Sequence, residues 1–156
     1  MSTVNNAPVV SNFGPAVSYV RGNAPAFVST MSLVADADSI DFAGGRLTLR
    51  ISANAQSSDG FAIYSEGFGA GQLGLDGNAV YYGGRLFGTL SGGFGTTPLV
   101  ASFNQNATPA AVQALVRNIG FYTGSAASTA TRQISLTVSD GDGGTSTAVT
   151  KNVLIT

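Results

Sequence analysis

Apolar and polar residues alternate with a period of two in two stretches of this chain. Leu47, Leu49 and Ile51 interleave with Thr48, Arg50 and Ser52, and Ile134, Leu136 and Val138 interleave with Ser135 and Thr137. Successive side chains of a strand point to opposite faces, so each stretch predicts a strand with one face on a core. Shorter apolar runs bounded by turn residues predict further strands over 26–34, 61–64, 71–75, 79–82, 85–90, 97–103, 119–122 and 145–155. Asp76-Gly77 and Gly83-Gly84 are placed to turn hairpins, and Asp59-Gly60 reads as another turn. The segment 6–10 contains Pro8, which has no N–H for an inner ladder, so it predicts an entry into a first edge strand.

One segment breaks the pattern. Thr108 suits an N-cap, Pro109 suits the first helical position, and good helix formers run to Arg117. Val112, Leu115 and Val116 share a face, which predicts a helix over 108–117 packed on a sheet edge or as a lid. The whole reads as an all-β sandwich in one domain over 6–156, preceded by a linker over 1–5, with no internal repeat.

Composition then narrows the chemistry. Charged residues make up 10% of the chain, against about 25% in ordinary globular proteins. The net charge of −1 offers no footprint for nucleic acid, and no apolar run of the length needed to span a bilayer is present. Histidine and cysteine are both absent, which removes Ser-His-Asp and Cys-His catalysis and leaves only oxygen to hold a metal. A glycosidase needs two carboxylates flanking a cleft, whereas the paired acids here fall in loops at strand ends, so an enzyme is not expected. The Gly-x-Gly patterns within 67–74 have neither the lysine nor the following helix of a phosphate site.

The acids are the main functional signal. Five of the eight acidic residues fall in two clusters: Asp36, Asp38 and Asp41 in Ala-Asp-Ala-Asp-Ser-Ile-Asp, and Asp140 and Asp142 in Ser-Asp-Gly-Asp-Gly-Gly. Carboxylates two residues apart in loop sequence point to a hard cation, most simply Ca²⁺, which accepts about six to eight oxygens at loosely defined angles. The pattern is not an EF-hand, because no twelve-residue loop closes on glutamate. In an immunoglobulin-like sandwich the second and penultimate strands both end at the pole where the chain enters. That places Asp36, Asp38, Asp140 and Asp142 together with Asn5 and Asn6. Asp36, Asp38, Asp140, Asp142 and Asn6 are therefore the candidate ligands. Asn5, Asp41 and Glu66, the only glutamate, are possible additions, with Asp41 also suited to capping a turn.

Four pieces carry a resemblance: Asn-Asn-Ala-Pro-Val-Val at 5–10, Ala-Asp-Ala-Asp-Ser-Ile-Asp-Phe-Ala-Gly-Gly-Arg-Leu-Thr-Leu at 35–49, Asn-Ala-Thr-Pro-Ala-Ala-Val-Gln-Ala-Leu-Val-Arg-Asn-Ile at 106–119, and Thr-Val-Ser-Asp-Gly-Asp-Gly-Gly-Thr-Ser at 137–146. In this order they resemble the cadherin-like repeats of large bacterial surface and RTX-type adhesins. The resemblance implies a Greek-key sandwich, tandem repetition, and Ca²⁺ near the junctions between repeats. It also implies an extracellular place on the bacterial surface, a context that the low lysine content and abundant Gly, Ser and Thr resemble too. The N-terminus has no signal-peptide pattern, so the chain is either an excised repeat or exported through a signal elsewhere. Two other functions compete with a structural repeat. Tyr81, Tyr82, Phe87 and Phe94, in the Gly-rich 66–96 region, could form a platform for a carbohydrate, although core packing is the simpler role for them. A complete chain could also assemble head to tail into a fibre.

Overall fold

The computed structural model describes residues 5–156; residues 1–4, most of the expected linker, lie outside the described residues. In chain order the strands are β1 (Val9–Ser11), β2 (Val17–Tyr19), β3 (Ala26–Phe27), β4 (Leu33–Ala35), β5 (Arg46–Ala53), β6 (Gly60–Ile63) and β7 (Leu73–Asp76). There follow β8 (Ala79–Tyr82), β9 (Arg85–Ser91), β10 (Leu99–Phe103), the helix α1 (Pro109–Arg117), β11 (Ile119–Tyr122), β12 (Arg132–Val138) and β13 (Val149–Ile155). The chain is thus β throughout except for one short helix.

Eight strands form one sheet in the order β2-β13-β12-β5-β10-β9-β8-β7, three form a second in the order β3-β11-β6, and β1 pairs with β4 alone. The alternation in β5 and β12 sets the register: Leu49 lies opposite both Leu136 and Leu99, so their side chains share the inner face. All three are buried, and Tyr19 of the large sheet meets Phe121 of the small one edge to face at 5.4 Å. One apolar core therefore joins the sheets, as in a sandwich.

The helix forms where expected. Thr108 Oγ1 accepts the Ala111 N–H at 3.2 Å, and Asn118 closes the other end on the Ala114 and Leu115 carbonyls. Ala111, Val112, Leu115 and Val116 are buried against β4, β7 and β8, so α1 covers a gap between the β1–β4 pair and the hairpin β7–β8. Burying each of the larger aliphatic side chains contributes about 1.5–3 kcal/mol. Gln113 Oε1 accepts the Val34 N–H, and Arg117 Nε donates to the Ser32 carbonyl, which bind the helix to β4 and the turn before it.

Two expectations need correction. The single strand expected over 26–34 is two strands in two different sheets, β3 and β4. Between them Val28 still donates its N–H to Ile119 of the small sheet, and Ser29 and Ser32 share a hydroxyl–hydroxyl hydrogen bond that turns the chain toward β1. The last strand, expected from 145, begins at Val149; residues 139–148 form a loop pinned by a lone bridge between Ser139 and Thr145. The sequence pattern also missed β2, which pairs in parallel with β13.

Candidate metal centre at the entry pole

β1 begins, and β4 and β12 end, at the same pole, so the segment 5–8 and the loops 36–45 and 139–148 meet there. Asn5 holds one loop and Asn6 the other. Asn5 Nδ2 donates to Asp140 Oδ2 at 2.8 Å, and the Asn6 N–H donates to Asp38 Oδ2 at 2.8 Å. The two acidic clusters expected together are thus joined through the incoming chain.

Their local roles differ. Asp140 is fully buried and organises its own loop, where Oδ1 accepts the N–H groups of Asp142 at 2.8 Å and Gly144 at 3.0 Å. Burial pushes this carboxyl up, but the hydrogen bonds from Asn5, Asp142 and Gly144 outweigh it and hold it below its ordinary value. Gly144 is required sterically: a Cβ there would lie 2.7 Å from Asp140 Oδ2, 2.8 Å from Asn5 Nδ2 and 2.9 Å from the Ala7 Cα. Asp142 is exposed.

The other loop has unmet capacity. Asp36 Oδ1 accepts the N–H groups of Asp38 at 3.1 Å and Ser39 at 3.0 Å, closing a tight turn at the end of β4. Asp36 Oδ2 and Ser39 Oγ are buried yet have no hydrogen-bond partner, and among the described residues no other buried side-chain oxygen or nitrogen is left in that state. Burial raises the Asp36 carboxyl above its ordinary value; the adjacent Asp38 carboxylate adds to the rise, and the two N–H groups oppose it. An orphaned carboxylate oxygen beside a second carboxylate suits an oxygen-seeking cation.

The remaining candidates lie elsewhere or do other work. Asp41 Oδ1 accepts the Ala43 N–H at 3.0 Å and caps its own turn. Glu66 accepts from Leu73 N–H at 3.0 Å and Asn118 Nδ2 at 3.4 Å, fastening the 64–67 segment between β7 and the end of α1, away from the acidic loops. Among the described residues no group of three or more carboxylates converges as a preformed metal cage. Of the aromatic residues weighed as a sugar platform, Phe87 is fully buried and Tyr81 and Tyr82 are half-buried, whereas Phe94 is 66% exposed. Phe94 stands at a cleft of about 620 Å³ that Asn78, Ser91 and Tyr122 also line.

One turn residue does more than turn the chain. Asp59, expected to form a turn, does so through the Gln56 N–H, and its carboxylate also binds Arg132. The signal was present in β12, where Arg132 shares the inward parity of Ile134, Leu136 and Val138.

Comparison with models of known families, with curated proteins and with solved structures gives no match for this chain.

Proposed function

We propose that the protein is a calcium-binding structural repeat of an extracellular bacterial adhesin or surface fibre, a cadherin-like Greek-key sandwich stiffened by Ca²⁺ at its entry pole. The observation that carries this reading is the pair of orphaned buried oxygens, Asp36 Oδ2 and Ser39 Oγ, in the turn that also presents Asp38. Asp36 and Asp38 would hold the ion, with Asn6, whose N–H bonds Asp38, and the Asp140–Asp142 loop, tied to Asn5, as the candidates to complete its oxygen shell. Bound Ca²⁺ would supply the positive charge that two adjacent carboxylates lack. Because Asn5 and Asn6 belong to the chain entering the domain, ordering this pole also orders the connection to a preceding repeat or like subunit.

Melting curves in EDTA and in millimolar Ca²⁺ test the proposal. Occupancy at a hundredfold the dissociation constant adds about 2.7 kcal/mol, so the melting temperature should rise by several degrees. Identical curves exclude the ion. For the mechanical part, a tandem of two copies should lengthen in small-angle scattering when calcium is added. An unchanged maximum dimension limits the ion to the single fold.

A second reading, carbohydrate binding in the 66–96 region, draws on exposed Phe94 beside the Asn78 and Ser91 side chains. Glycan-array binding that Phe94→Ala abolishes, and that EDTA leaves intact, would favour it over the calcium repeat.

A further inference from the structure

Lys151 is the only lysine in the chain, and it faces inward. In β13 it shares the parity of buried Val153 and Ile155, and only 7% of its surface is exposed. Its Nζ donates to the Val28 carbonyl and lies 4.7 Å from the centre of the Phe13 ring. An ammonium has three N–H donors, and this is the one hydrogen bond its side chain makes among the described residues. No carboxylate pairs with it either: the ion pair of Asp59 with Arg132 is the only one among the described residues. The contrast with Arg132 is direct, since that buried cation has a bidentate carboxylate and two carbonyls. A buried charge lacking a counter-ion is costly, and burial draws the Lys151 amine below its ordinary value.

The amine does not end in solid core. Lys151 lines a pocket of about 410 Å³ between the turn 12–15 and the segment 27–31. Phe13, Val17, Phe27 and Met31 make its walls largely apolar, while Asn12 and Thr30 add polar groups. Gly14, at φ +91°, carries the backbone so close over the amine that a Cβ there would come within 3.4 Å of Nζ. Phe27 and Met31 are 42% and 68% exposed, which leaves the pocket open to solvent on that side.

We propose that this pocket binds small organic carboxylates, with the carboxylate on Lys151 Nζ and the apolar body against Phe13, Phe27 and Met31. A monoanion matches the single cation; a phosphate dianion would ask for further donors and would waste the apolar walls. The site is distinct from the acidic pole, since β1 separates the segment 5–8 from the turn 12–15.

The single lysine makes the test clean. In protein labelled with ¹³C,¹⁵N-lysine one side-chain signal reports on Lys151 alone. Titration with benzoate should move that signal saturably, with a Kd on the order of 1 mM. Benzamide, of nearly the same shape without the charge, should bind at least about tenfold more weakly. Lys151→Met should lose benzoate binding. Met31→Glu, at an exposed position that leaves the fold intact, should weaken it by setting a like charge at the rim. A Lys151 signal that ignores benzoate at tens of millimolar overturns the proposal. So does equal binding of benzamide, or undiminished benzoate binding in either variant.

Discussion

Arg132 and Asp59 form a fully buried, two-pronged ion pair, with Nε at 2.8 Å from Oδ2 and Nη2 at 3.1 Å from Oδ1. Nη1 adds bonds to the Ser128 and Ala130 carbonyls, and Asp59 Oδ2 accepts the Gln56 N–H. The pair therefore ties the start of β12 to the turn before β6, two elements of different sheets. A charge removed from such a pair strands its partner in the core.

Arg132→Met or Asp59→Leu alone should each cost about 3–5 kcal/mol in urea unfolding. The double variant, with neither charge, should be more stable than either single one. If the two losses simply add, the residues are not coupled and the pairing is incorrect.

Asp140 and Asp36 should respond differently to substitution. Asp140→Ala removes the acceptor for Asn5, Asp142 and Gly144 and should destabilise by about 1–3 kcal/mol with or without calcium. Asp36→Asn keeps an oxygen for the two turn N–H groups, so its effect in EDTA should be under about 1 kcal/mol, while calcium should no longer raise its melting temperature. Calorimetry of both variants in EDTA and in calcium checks this split. Loss of the calcium response in Asp140→Ala but not in Asp36→Asn would move the ion to the other loop.

Gly144→Ala should loosen the incoming chain. The added methyl would press on Asp140 Oδ2, Asn5 Nδ2 and the Ala7 backbone at once, at a cost of about 1–3 kcal/mol. Faster amide exchange at Asn6, whose N–H now bonds Asp38, is the local readout. Exchange as slow as in the parent protein would show that the loop absorbs the methyl elsewhere.

Lys151 sets a pH dependence with a definite sign. Its folded pKa lies below its unfolded value of about 10.4, so the unfolded chain binds more protons in the window between the two. Across that window its contribution rises with pH, because the buried amine sheds its charge. The nearest groups facing it are the Phe13 ring and the Val28 carbonyl, neither of which titrates. The stability of the parent relative to Lys151→Met should therefore climb on going from neutral pH toward 10. A flat difference would mean the amine keeps its proton at no cost.

Where local pattern and tertiary role agreed, the sequence was readable. β5 and β12 announce themselves by alternation, α1 by Thr108 and Pro109, and the turns at 77–78 and 83–84 by their glycines. The chain 26–34 misled because Ser29-Thr30-Met31-Ser32 holds neither glycine nor proline, and only contacts with Ile119 and Val10 divide it between sheets. β2, three residues between turns, is too short to show a period. Arg132 and Lys151 were legible by parity, but their charge argued for the surface more loudly than their position argued for the core. At the acidic pole, the meeting of three segments was expected with 26–34 as the second strand; the segments do meet, but it is β4, the end of that divided stretch, that brings Asp36 and Asp38 there. The division of labour between Asp140, saturated with donors, and Asp36, left with a bare oxygen, depends on loop geometry that no spacing of aspartates encodes.

The parallel pairing of β2 with β13 bears on how the domain carries load. Val17, Ser18 and Tyr19 lie beside Val153, Leu154 and Ile155, near the two ends of the chain, and run in the same direction. Tension applied at the termini draws β2 back and β13 forward along their common axis. The hydrogen bonds between them are then strained together in shear instead of being peeled one at a time, as they would be if the strands were antiparallel. Rupture must break the whole ladder in one event, so a three-residue strand that scarcely registers in the sequence sets a cooperative barrier to extension once β1 has parted from β4.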